Sequence, residues 1–259
     1  MDSIPANLMT PLTQHLLSIA DDKFILGHRN ADWTGLAPIL EEDIAFSSMA
    51  QDELSHASAL YGFMAELTAG DANRLAYGRS PAEYRCAQLV ERSDEFDWSV
   101  AIVRKFYFNH FDMLRLMRLT HTNYPPLAAL AERMLAEART HIPHADGWLV
   151  RLSHGPDDVR LRMQSALDHL APLAVGLFEP VAGIEQLTHA GLIPADSPPL
   201  AQTWADALQN VVEEAGLRLV LPKFDLRSAG GRRGIHTPDF VELLDELTEV
   251  YRVEPQAAW

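Results

Sequence analysis

The segment FSSMAQDELSHASALYGFMAEL, residues 46–67, decides the fold. Its apolar residues recur every three or four positions from Phe46 to Leu67, which indicates one face of a long amphipathic helix. Glu53 and His56 fall on this apolar stripe rather than on the polar side. Because an ionised carboxylate is costly to bury alone, we expect both side chains to have partners inside a helical core.

The same helical spacing recurs along almost the whole chain, and the period-two alternation of half-buried strands is absent. We therefore predict an all-α protein in which residues 1–259 form a single domain. Four long helices joined by short or moderate connections favour an up-and-down bundle, with additional helices at the C-terminal end. The connection at 70–96 is the longest, and 81–91 could form a short helix inside it. The predicted helices cover residues 8–30, 38–69, 97–121, 125–154, 157–190, 198–220 and 237–252.

The composition excludes several classes of protein. A hydrophobic content of 47% is too high for a disordered chain, and a formal charge of -15 argues against nucleic acid or an anionic membrane surface as a partner. Cys86 is the only cysteine, so the chain alone cannot hold a disulfide framework or a cysteine-based metal cluster. We expect a cytoplasmic protein without a signal peptide or a membrane-spanning segment.

The polar residues on the apolar stripes are candidate metal ligands. Glu53 and His56 have the Glu-x-x-His spacing with which di-iron and di-manganese bundles supply ligands from one helix. On the fourth helix, Glu137 and His141 form a similar pair whose spacing is one residue longer. Asp21 on the first helix could face the same core, although the pattern does not decide between it and its neighbour Asp22.

The third helix departs from a complete di-iron set. Its central polar residue is Asn109, a neutral amide at the position where a carboxylate is expected, and Asp112 lies only on the flank. A full site uses four carboxylates and two histidines. Two interpretations stay open: a buried hydrogen-bonded network without any ion, or a degenerate site that binds some metal.

Several segments together resemble the ferritin-like subunits of the bacterial phenylacetyl-CoA epoxidase, and the tail resembles the PaaC-type subunit in particular. The resemblance covers almost the whole length. The segments that carry it are GHR at 27–29, DWTG at 32–35, APILEEDIA at 37–45, QDELSHA at 51–57, EARTH at 137–141, GGRRGIHT at 230–237, LLDEL at 243–247 and the closing Trp259.

This resemblance implies a ferritin-like bundle that acts in phenylacetate catabolism, within a monooxygenase that converts phenylacetyl-CoA to its ring 1,2-epoxide. It implies a homologous catalytic subunit that carries the di-iron centre, and a reductase that delivers electrons. The PaaC-type subunit itself is implied to be structural: it pairs with the catalytic subunit and has no competent centre. We therefore expect no cofactor in this chain, while iron at a degenerate site stays open. The candidate ligands of that site are Asp21, Glu53, His56, Glu137 and His141.

The alternative function is a di-iron oxygenase or oxidase in its own right, which would use the same five residues. Iron storage is a poorer alternative, because the helices beyond residue 155 suit a storage shell badly.

Two surface features also leave alternatives. The pair Arg232 and Arg233 in a glycine-rich tail is interpreted as a solvated loop, which could instead dock on an acidic partner or reach a CoA phosphate. A second apolar stripe on the third helix either faces a partner or is covered by the fifth or sixth helix. Its members are Val103, Tyr107, Phe111 and Leu114.

Overall fold

A computed structural model describes residues 4–93, 95–223, 225 and 229–255. Ser228, part of a predicted break, and Trp259, part of the resemblance, lie outside these residues. Within them the protein is all-α, as predicted, and contains no strand. The helices are α1 (Ala6–Ala31), α2 (Leu40–Thr68), α3 (Ala72–Tyr77), α4 (Gln88–Glu91), α5 (Trp98–Leu119), α6 (Pro125–Ser153), α7 (Asp157–Val175), α8 (Ile184–His189), α9 (Leu200–Glu214) and α10 (Pro238–Val253).

The four long helices α1, α2, α5 and α6 form the bundle, in which α1 packs mainly on α2, and α5 mainly on α6. Each pair is joined by a short connection, which places its helices antiparallel. Their apolar stripes meet in one continuous core. None of the described helices is long and apolar enough to cross a membrane.

The long connection between α2 and α5 is more ordered than the sequence predicts. The stretch from 70 to 80 is expected to be a turn-rich loop, but it contains α3, whose first N–H groups are capped by Asp71. The Asp71 carboxylate accepts hydrogen bonds from the backbone N–H groups of Asn73 and Arg74 at 2.8 and 3.2 Å. Such a cap stabilises a helix start by about 1 kcal/mol. The expected helix at 81–91 is divided into a 3-10 turn at Pro81–Glu83 and the short helix α4.

The prediction of one helix over 157–190 is wrong. After α7 the chain makes a 3-10 turn at Gly176–Phe178 and becomes helical again only in α8. Pro180 disfavours the helical conformation of Glu179, whose ψ is 122°. Gly183 then adopts a φ of 82°, a left-handed conformation that glycine reaches without steric cost.

The second apolar stripe of α5 is covered within the chain, so its interpretation as a partner surface is wrong. All four of its residues are buried. The Tyr107 hydroxyl donates to the backbone oxygen of Leu167 in α7 at 3.1 Å, and the Trp204 indole N–H in α9 donates to the backbone oxygen of Tyr107 at 3.0 Å. The helices after α6 therefore form a second layer over α5.

The tail before α10 is also an internal element, which corrects its interpretation as a solvated loop. The Arg232 side chain is 2% exposed, and its guanidinium makes two hydrogen bonds to the Asp22 carboxylate, at 2.7 and 2.8 Å. Arg233 donates from Nε to Glu179 at 2.5 Å. Gly231 is required here because a Cβ at this position would lie 2.0 Å from the backbone oxygen of Cys86.

Arg232→Ala is expected to lower the free energy of unfolding by about 3 kcal/mol, because it removes a buried partner of Asp22. Urea unfolding followed by circular dichroism measures the change. The matched control is Arg252→Ala, whose pair with Asp245 is exposed and contributes about 0–1 kcal/mol. Equal effects of the two substitutions would contradict the structural role of Arg232.

Candidate site in the bundle core

Lys23 of α1 occupies the centre of the bundle. Its ammonium nitrogen lies 2.8 Å from Glu53 Oε2 in α2 and 2.7 Å from Asp112 Oδ2 in α5, and its side chain has no exposed surface. One cation thus joins three helices through two carboxylates. Because both carboxylates are buried as well, each charge depends on the others for compensation.

The network continues from Asp112 to the tail. The Arg115 guanidinium donates to Asp112 Oδ1 at 2.5 Å and to Asp22 Oδ2 at 2.7 Å. Asp22 in turn binds Arg232 and also accepts the backbone N–H of Ala87 at 2.8 Å. Positive and negative charges alternate along this path, so the buried charges balance.

The pKa values follow from this arrangement. Burial raises the pKa of Glu53, but the charge of Lys23 and a hydrogen bond with His141 lower it more, and its net pKa lies well below the ordinary range. Burial raises the pKa of Asp112 as well, and the charges of Lys23 and Arg115 bring it below its usual value. Burial lowers the pKa of Lys23, whereas Asp112 and Glu53 raise it above its ordinary value. All three groups are therefore charged at neutral pH.

Four of the five candidate ligands lie around this pair. His141 Nδ1 is 3.4 Å from Glu53 Oε1, and its Nε2 is 3.0 Å from Asp52 Oδ2. His56 Nε2 is 2.5 Å from Glu137 Oε2. The Glu137 side chain is 53% exposed, which agrees with its expected place at the margin of the α6 stripe.

Asp21 does not join the other candidates. Its carboxylate accepts from the Arg79 guanidinium at 2.5 and 2.9 Å and from the Tyr61 hydroxyl at 2.6 Å. Asp21 therefore fixes the connection after α3 to the bundle. The neighbouring Asp22 faces Arg115 and Arg232 instead.

Asn109 uses its amide to join two helices. Its Nδ2 donates to the backbone oxygen of His141 at 3.1 Å, close to Pro143, which leaves one backbone acceptor of α6 without its helical donor. The amide at the third-helix position thus has a structural partner.

A second buried lysine, Lys105 of α5, differs from Lys23. Its ammonium lies 2.8 Å from Met49 Sδ and 4.1 Å from the centroid of the Phe46 ring, and no carboxylate of the described residues accepts from it. Burial, which the distant charges of Glu53 and Glu42 offset only in part, lowers the pKa of Lys105 to about 7. Close by, the half-buried His144 bonds to Glu42 at 2.7 Å, although the sequence suggests a surface position for this histidine.

These residues do not fit a di-iron centre. The oxygen atoms of Glu53 and Asp112 that would bind a cation face the Lys23 ammonium, and a protonated lysine has three donors and no acceptor. A dication at this place would be repelled by Lys23, and Asn109 supplies no negative charge. The core is arranged around an ammonium in place of metal ions.

The sequence analysis missed Lys23, which is the central residue. A signal was present: Lys23 continues a row of buried α1 residues spaced by four and three positions, where an apolar side chain is expected. A lysine in such a row indicates a buried partner, which the pattern within one helix cannot identify. The preceding members of the row are Leu12, Leu16 and Ile19, and Leu26 follows.

Comparison with known proteins gives two matches. The family model described as "Phenylacetic acid catabolic protein" matches residues 1–259. The component of the Escherichia coli (strain K12) 1,2-phenylacetyl-CoA epoxidase that is designated C is 30% identical over 252 residues, which cover 97% of this chain and 100% of that protein.

The two buried lysines are expected to respond oppositely to substitution. Lys23→Met leaves Glu53 and Asp112 buried without their cation, so the free energy of unfolding should fall by about 3–5 kcal/mol. Lys105→Met removes a buried cation that has no carboxylate partner among the described residues, and should be neutral or stabilise by up to about 4 kcal/mol. Urea unfolding at pH 7 measures both.

The pH dependence provides the control. The folded pKa of Lys105 is about 7 and its ordinary value is 10.5, so between these values the unfolded chain binds more protons and stability rises with pH. This group contributes up to about 1.4 kcal/mol per pH unit. The advantage of Lys105→Met over the unsubstituted protein should therefore shrink from pH 7 to pH 9, and a constant advantage would contradict the assignment.

Proposed function

The chain belongs to the family of phenylacetic acid catabolic proteins, and from this we propose that it is a structural, non-catalytic subunit of a multicomponent phenylacetyl-CoA epoxidase. In this proposal it pairs in the cytoplasm with a homologous ferritin-like catalytic subunit, together with the other epoxidase components. The iron belongs to the catalytic subunit, and this chain holds no cofactor. The relative from Escherichia coli, which carries the name of an epoxidase subunit, supports this assignment.

The observation that carries the proposal is the Lys23 ammonium between Glu53 and Asp112. A bundle that must stay folded without iron has to neutralise the carboxylates that point into its core. An internal lysine does so permanently, whereas an iron-binding bundle would need those oxygen atoms for the metal. The chain can thus keep the shape of its catalytic homologue while its own core stays chemically inert.

The competing proposal is an oxygenase or oxidase built on the chain's own candidate ligands. It is favoured by the intact Glu-x-x-His pair of Glu53 and His56. It requires Lys23 to leave the carboxylates, which would place an ammonium elsewhere in the core. Metal analysis separates the two proposals.

We expect the isolated chain, expressed in iron-supplemented medium, to hold less than about a tenth of an iron, against about two for a di-iron subunit. In the complex with the catalytic homologue, the iron content should equal that of the homologue alone. Mass spectrometry of the metals measures both. About two irons per isolated chain would exclude the structural role.

Epoxidation of phenylacetyl-CoA by the reconstituted complex gives a second readout. His141→Gln in this chain should leave the turnover within about twofold, because a group that takes no part in the reaction contributes no transition-state stabilisation. The control is the loss of activity when an iron ligand of the catalytic subunit is replaced. Loss of turnover by His141→Gln in a complex that still assembles would support the competing proposal.

Removal of the ammonium tests the carrying observation directly. Lys23→Ala should be destabilised and should regain thermal stability when Mn²⁺ is added, because a dication can then bind between Glu53 and Asp112. The unsubstituted protein should show no such gain. In the double variant Lys23→Ala with Glu53→Gln the gain should be lost, and a Mn²⁺ effect that survives in this variant would place the ion elsewhere.

A further inference from the structure

A cavity of about 650 Å³ lies outside the charged core, between α1, α5 and the segment that follows α7. This volume is in the range of small-molecule sites in proteins. Its wall is mainly apolar, and its inner end reaches the arginines of the charge network. The apolar side chains of the wall include Phe111, Leu119, Leu177, Phe178, Ile184 and Ile193.

His15 is the polar group of this cavity that the fold does not satisfy. It lines the cavity from α1, and its Nδ1 is buried without a hydrogen-bond partner among the described residues. Burial, with the charges of Arg115 and Arg232, lowers the pKa of His15 to about 3, so the imidazole is neutral. Because Nδ1 has no partner, Nε2 is the ring nitrogen that a ligand in the cavity can reach. An unsatisfied buried polar group costs stability, and such groups are retained where they have a function.

The other charged groups of the cavity already have partners or lie at its edge. Arg115 and Arg232 share the carboxylate of Asp22, so two guanidiniums face one anion at the inner end. Arg118 pairs with Asp196 on the outer side.

The remaining acids do not cancel the positive potential at His15. The carboxylate of Glu179 accepts from Arg233 and from the backbone N–H of Arg232. Glu185 and His189 are exposed. The charges that act on His15 are those of the two arginines, and both are positive.

We propose that this cavity binds a small monocarboxylate with an apolar body, such as an aryl-substituted acetate. The carboxylate would accept a hydrogen bond from His15 Nε2 and would be attracted by Arg115 and Arg232. The apolar body would lie against Phe111 and Phe178. The site is separate from Lys23 and its carboxylates, and the inference holds whether the chain is a structural subunit or an oxygenase.

Titration of the full-length protein with phenylacetate, by calorimetry at pH 7, tests the inference. The neutral isostere phenylacetamide has the same apolar body without the charge, so it should bind at least about tenfold more weakly, the loss expected for one charge-assisted hydrogen bond. His15→Leu should weaken phenylacetate binding by a similar factor. The matched control, His154→Leu at the exposed end of α6, should leave binding unchanged.

His15→Leu should also raise the urea midpoint, because it removes a polar atom that lacks a partner, and this gain shows that the lost binding is not a folding defect. Ile193→Trp, which fills the cavity from its outer side, provides an independent block and should abolish binding. Absence of saturable phenylacetate binding at about 10 mM would overturn the inference, since that limit lies above the affinity of even weak specific ligands. Equal binding of the amide, or binding unaffected by His15→Leu, would overturn it as well.

Discussion

The ammonium of Lys23 between Glu53 and Asp112 is the interaction on which the rest of the structure depends. Two carboxylates from different helices point into a core that excludes water, and burial alone would make their ionised forms very costly. The lysine turns this cost into a cross-link between three helices. The arrangement is directional, because the ammonium has only three donors, and it therefore fixes the rotation of α1 relative to α2 and α5.

The helices were largely predictable, and the centre of the core was not. Apolar residues at helical spacing define α1, α2, α5 and α6, because this periodicity is local and packing preserves it. The adjacency of Glu53 and His141 also follows from their shared inward stripes. The ion pairs of Lys23 and Arg232 join residues 30, 89 and 210 positions apart, and no local pattern reports such pairs. The break near Pro180 was missed because the apolar period continues through it.

Lys23 and Lys105 show why burial alone does not tell what a charged residue does. Both are buried on helices of the same bundle. Lys23 has two carboxylate partners and stays charged, whereas Lys105 has a thioether and an aromatic face, and its pKa falls to about 7. The partner atoms decide between a fixed charge that holds the fold together and a group that titrates near neutral pH.

The link between Asp22 and Arg232 has a consequence for the synthesis of the chain. Arg232 leaves the ribosome 210 residues after Asp22, so the buried network cannot close until every helix of the bundle has emerged. A chain that terminates before this segment would carry an acidic core lacking one of its cations. The glycine-arginine segment therefore acts as a completeness check, and only molecules that include it acquire the stable bundle that can enter an assembly.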